Sequence, residues 1–132
     1  MQPSFNEMKA QYFEYMGNYQ TAIELLQTNL DAPSALVGET QNISVYTSLG
    51  RIYQILTEYD KSEKMFKKAL LLADDNAELF YEYSILKEKQ GDMQEALDLI
   101  EKAYNLYKDG DRELELTQKI FTRYESFQEQ LP

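Results

Sequence analysis

Small residues recur in step along an otherwise amphipathic chain: Ala10, Gly50 and Ser84 stand 40 and then 34 residues apart. Seven residues after each comes Gly17-Asn18-Tyr19, Thr57-Glu58-Tyr59 or Gly91-Asp92-Met93, and five further on comes Ala22, Ser62 or Ala96. Apolar side chains sit around these points three and four positions apart, the period of a helix with one buried stripe. The pattern predicts helices over about 4–16, 18–30, 43–56, 58–73, 77–90, 92–107 and 111–128. Three helix–turn–helix units of one design follow one another, which marks a helical repeat array.

The offsets have a physical reading. Two antiparallel helices approach within about 8–10 Å only where a small side chain lies at the crossing. Ala10, Gly50 and Ser84 supply that clearance on the first helix of each unit, and Ala22, Ser62 and Ala96 supply it on the second. Tyr46, Leu49, Tyr53 and Phe66 are the bulky residues expected to fill the space around it. Gly17 and Gly91 fall at the turn, where positive φ ends a helix cheaply, and Asn18 and Asp92 are expected to cap the next helix. Thr57 replaces that glycine in the middle unit, so its turn should constrain the local backbone most tightly.

The middle unit reads Tyr46-x-x-Leu49-Gly50-x-x-Tyr53, then Ser62-x-x-x-Phe66-x-x-Ala69, and ends at Asp74. This spacing resembles the tetratricopeptide repeat. The third unit keeps Phe80, Tyr83, Ser84, Ala96, Ile100 and Ala103 at the same offsets, with Lys87 where an aromatic is expected. The first keeps Ala10, Phe13, Gly17, Ala22 and Leu26 but has Asn6, Lys9 and Asn29 at positions that favour apolar or small residues. The resemblance implies an all-α, right-handed α-solenoid of three such repeats plus a C-terminal capping helix. The expected organisation is a single domain over 1–132, with repeats at about 3–30, 43–74 and 77–108, a linker insertion at 31–42 and the cap at 111–128.

The insertion adds six residues to a 34-residue period, punctuated by Pro33 and Gly38. It reads as an edge loop or as a helix of the second unit extended backwards from Ser34, and alternatively as a flap with Leu36 and Val37 at its tip. At the other end, Leu114, Thr117, Ile120, Phe121, Tyr124 and Phe127 make one stripe suited to covering the last repeat. Gln118 occupies the place of a fourth small residue, so the array is expected to stop there.

Composition narrows the chemistry. The chain has 132 residues and 43% hydrophobic content, enough for a continuous core, and no 18-residue apolar run or charged-then-apolar leader. It has no cysteine and no histidine, which removes disulfides, ordinary zinc sites and histidine-based triads. Asp109-Gly110-Asp111 lacks the spacing of a calcium loop and reads as a turn, and Asn42-Ile43-Ser44 reads as a helix N-cap. A net charge of −10 argues against nucleic acid, whose binding rests on phosphate neutralisation. The lysines at 61, 64, 67 and 68 read as a solvated outer face.

These observations point to a non-enzymatic, cytoplasmic protein-interaction module with no cofactor, no metal and no membrane insertion. The resemblance implies a peptide lying in a concave groove lined by the first helices. Groove positions are Glu7, Met8, Gln11, Glu14, Tyr15, Thr47, Arg51, Gln54, Glu78, Tyr81, Glu82, Ile85 and Glu88, with Arg112, Leu116 and Lys119 on the last helix. The related clamp for acidic chaperone tails needs Lys, Asn and Arg, but Glu7, Gln11, Ser48, Glu78 and Glu82 stand at its positions here. The expected partner is therefore a protein or peptide with basic residues. Two other readings are a dedicated three-repeat chaperone for a secretion client and a self-associating segment of a larger assembly, in which Phe5, Met8 and Tyr12 pair with a neighbouring copy or with an upstream repeat.

Overall fold

The computed structural model describes residues 4–31, 39–110 and 114–130. Among them are seven helices and no strand: α1 (Phe5–Tyr15), α2 (Tyr19–Asp31), α3 (Glu39–Ile55), α4 (Tyr59–Leu72), α5 (Ala77–Lys89), α6 (Met93–Tyr107) and α7 (Glu115–Gln130). Two compact units result, Met1–Ala73 and Asp74–Pro132. In the first, α1 pairs with α2 and α3 with α4, and α2 also meets α3; in the second, α5 pairs with α6 and α7 packs on α6.

The three hairpin turns share one backbone solution. Gly17 (φ 81°), Thr57 (φ 62°) and Gly91 (φ 86°) are left-handed, and each donates its N–H to the carbonyl three residues back. The following residue in each case, Asn18, Glu58 or Asp92, donates to the carbonyl five residues back at 2.8–2.9 Å. That double closure satisfies carbonyls a helix end would otherwise orphan. Asn18 and Asp92 also accept from the N–H groups of Thr21 and Glu95, as their capping role requires, whereas Glu58 makes no such bond. Thr57, β-branched at positive φ, carries the backbone strain expected of it.

The crossings are as close as the small residues imply. Ala10, Gly50, Ser84, Ala22, Ser62 and Ala96 are all buried. A Cβ on Gly50 would lie 2.6 Å from the Phe66 ring, and the Ser62 hydroxyl donates to the Gly50 carbonyl at 2.6 Å. Val45, Leu49, Ile52 and Tyr53 of α3 join Ala10, Ala22, Ile23 and Leu26 in one core. In the second unit Thr117, Ile120 and Phe127 of α7 are buried, and Tyr104 stacks on Tyr124 with centroids 4.2 Å apart.

Two helix starts differ from expectation. α3 starts at Glu39 rather than 43, so Asn42 lies inside the helix and is not an N-cap. α7 starts at Glu115 rather than 111, which leaves Leu114 exposed before the helix instead of on its buried stripe. Residues 32–38, with Leu36 and Val37, lie outside the described residues, as do Asp111, Arg112 and Glu113.

Candidate functional site

The first unit withdraws several polar residues from its surface. Glu7 is buried and accepts from the Ser44 hydroxyl at 2.9 Å, its other carboxylate oxygen lacking a partner among the described residues. Thr47 is buried and donates to the Ile43 carbonyl at 2.8 Å; Gln54 is buried too, its Nε2 without a partner among the described residues. None of the three presents a side chain to solvent, contrary to their placement on a groove. Helix periodicity puts a polar residue outward by default, and here hydroxyl and backbone partners on the same unit hold two of them inward.

Glu14 and Arg51 are neighbours across α1 and α3. The guanidinium meets both carboxylate oxygens, at 2.7 and 2.8 Å, and both side chains are half-buried. A bidentate pair of this kind is directional and mutually neutralising. It cancels two charges expected to face a ligand separately. Met8, Gln11 and Tyr15 are exposed, Tyr15 at 88%.

The second unit holds a cleft between α5 and α7 of about 580 Å³. Tyr81 and Glu88 line it from α5, and Lys119, Thr122, Arg123 and Phe127 from α7. Arg123 organises it: Nε donates to the Ser84 hydroxyl at 2.8 Å, Nη2 to the Ser84 carbonyl at 3.0 Å, and Nη2 pairs with Glu88 at 2.8 Å. The small residue that lets α5 and α6 cross is thus also the seat of an α7 guanidinium. Lys119 pairs with Glu115 one turn away at 3.1 Å, and that hydrogen bond raises its pKa. Burial, followed by the charge of Glu82, holds the Tyr81 phenol above its ordinary value, so it enters the cleft as a neutral hydroxyl.

Of the expected site residues, the cleft gathers Tyr81, Glu88 and Lys119. Glu78 is exposed, while Glu82, Ile85 and Leu116 are half-buried and do not line it. Arg112 lies outside the described residues. The link of Arg123 to Ser84 is not legible in the sequence, because a contact spanning 39 residues leaves no local signal. Gln118, read only as a stop signal, lines the cleft as well.

The lysines at 61, 64, 67 and 68 are exposed along α4, as expected of a solvated face. No helix of the described residues is long and apolar enough to cross a membrane. No group of three or more His, Cys, Asp or Glu among them is placed to hold a metal ion.

No curated protein matches the chain. A family model described as tetratricopeptide repeat matches residues 4–75 and again 41–109, and so overlays the three hairpins and their shared turn geometry. Repeats of this kind generally mediate protein–protein interaction and typically do so without catalysis. With small-residue crossings, left-handed turns and the family match in agreement, the chain belongs to the tetratricopeptide repeat family.

Proposed function

We propose that the chain is a non-catalytic interaction module that holds a peptide segment of a partner protein, with the α5–α7 cleft as its principal contact. The carrying observation is the cleft itself, whose volume of about 580 Å³ falls within the range of ordinary ligand sites. Half-buried Tyr81 offers aromatic surface there, and ionised side chains of both signs surround it. Aromatic contacts of this kind carry affinity, while the charges set orientation and association rate.

The complementary segment has an apolar residue against Tyr81, basic residues toward Glu78 and Glu82 on α5, and a carboxylate toward Lys119. Pairing of Glu14 with Arg51, and of Glu88 with Arg123, leaves less uncompensated acidity than the sequence suggests.

The test uses the partner captured from the source cell. Tyr81→Ala should weaken its binding by about 1–2 kcal/mol with the fold retained. Glu78→Lys with Glu82→Lys should slow association, most at low salt. If both variants bind as the parent does, while reversing the lysines of α4 abolishes binding, the contact is on α4 and this reading fails.

A further inference from the structure

Helix α1 divides cleanly into two faces. Ala10 and Glu7 are buried, and Asn6, Phe13 and Glu14 are half-buried. Phe5, Met8, Tyr12, Tyr15 and Met16 are all exposed. At 3.6 residues per turn these five fall on one arc roughly 100° wide. Lys9 borders it on one side, lying 4.4 Å from the Phe5 ring centroid, and Gln11 borders it on the other.

The repeat register shows what this face is built to receive. Phe5 and Tyr12 stand five before and two after the small residue Ala10; the same places hold Val45 and Ile52 around Gly50, and Leu79 and Leu86 around Ser84. All four of the latter are 0% exposed, whereas Phe5 is 66% and Tyr12 59% exposed. For Val45 and Ile52 the cover is visible. They share a core with Ile23 and Leu26 of α2, against which Leu30 also packs. Residues 23, 26 and 30 are spaced three and then four apart, the seam by which one helix inserts knobs into another. A helix of that pattern fits the place on α1 that α2 fills on α3.

Charge separates the candidates for that helix. The α1 arc carries one ionised border residue, Lys9, and no carboxylate. A second copy would bring an identical arc and an identical Lys9, together with a net charge of −10 against −10. We propose that the exposed face of α1 docks an amphipathic α-helix of another protein, apolar at three–four spacing and carrying a carboxylate opposite Lys9. This surface is independent of the α5–α7 cleft and takes a different ligand.

Two synthetic helical peptides of about three heptads test it on the full chain, both with leucine at three–four spacing, one flanked by glutamate and one by lysine. Fluorescence anisotropy should show the glutamate peptide binding, with Tyr12→Glu and Phe5→Ser each weakening it about tenfold and Tyr81→Ala leaving it unchanged. The lysine peptide should bind several-fold more weakly, and Lys9→Glu should reverse that order. Both seam positions are exposed, so thermal melts should confirm folded variants; if one variant unfolds, the other reads the site. Absence of binding by both peptides overturns the proposal, as does indifference to the α1 variants or a preference for the lysine peptide. A dimer of the chain alone that Tyr12→Glu dissociates in sedimentation would instead assign the face to a second copy.

Discussion

Helices α1 and α3 follow the same repeat, yet one is half surface and the other is core. Val45, Leu49 and Ile52 of α3 are buried, and their counterparts Phe5, Lys9 and Tyr12 of α1 are exposed. Local pattern alone does not separate them, since both helices carry apolar residues at the first and last of these places. What differs is the neighbour. α3 has α2 against it, and the described residues show no such cover on α1. In a repeat protein each unit supplies half of its neighbour's core, so a residue's burial depends on its unit's place in the array.

Deleting residues 111–132 should create a second uncovered face and have the largest effect. Burial of Ile120 and Phe127 alone is worth about 1.5–3 kcal/mol each, so the truncated chain should melt much earlier and aggregate. A truncation that stays monomeric and equally stable in gel filtration and thermal melts would show that α7 does not cap the second unit.

The crossings should differ next. Gly50→Leu should cost about 3 kcal/mol or more in denaturant titration, because even a Cβ there meets the buried Phe66 ring at 2.6 Å. Ala10→Leu, at the equivalent place in the weaker first repeat, should cost less. Equal costs would mean that the two crossings are equally tight and the first repeat is not the looser one.

At the turns the two hairpins should respond with opposite sign. Thr57→Gly removes a β-branched residue from φ 62° and should stabilise by about 1 kcal/mol, while Gly17→Thr at φ 81° should destabilise by a similar amount. A loss of stability in Thr57→Gly would point instead to the bond its hydroxyl makes with the Leu56 carbonyl at 2.6 Å.

The smallest effect is expected at Tyr81. Its pKa is raised on folding from the ordinary 10.0, so the neutral phenol is favoured in the folded state. That contribution is fully present below pH 10 and is lost as pH rises through the raised value. Stability measured between about pH 9 and pH 11 should fall, and Tyr81→Phe should make the fall shallower. An identical slope in the variant would remove Tyr81 as a source of alkaline sensitivity.

Much of this was legible from spacing. Ala10, Gly50 and Ser84 identify the crossings because close approach tolerates only small side chains, and Gly17 and Gly91 identify the turns because positive φ favours glycine. Surface chemistry was less legible. Glu7, Thr47 and Gln54 read as outward by helical period and are buried, while Glu14 and Arg51 read as separate charges and are a pair. Each depends on which residues of two helices come level, and sequence offsets within one repeat do not contain that. Arg123 shows the same limit, since its bonds to Ser84 depend on where α7 settles on the last hairpin.

The comparison of α1 with α3 is tested most directly by a matched pair of truncations at one repeat position, Ile52→Ala and Tyr12→Ala, each followed by denaturant unfolding. Ile52 is 0% exposed and should cost about 2–5 kcal/mol, whereas Tyr12, at 59% exposed, should cost no more than about 0.5 kcal/mol. Equal losses at the two positions would mean that α1 is covered in solution as α3 is, and would contradict an open face on the first repeat.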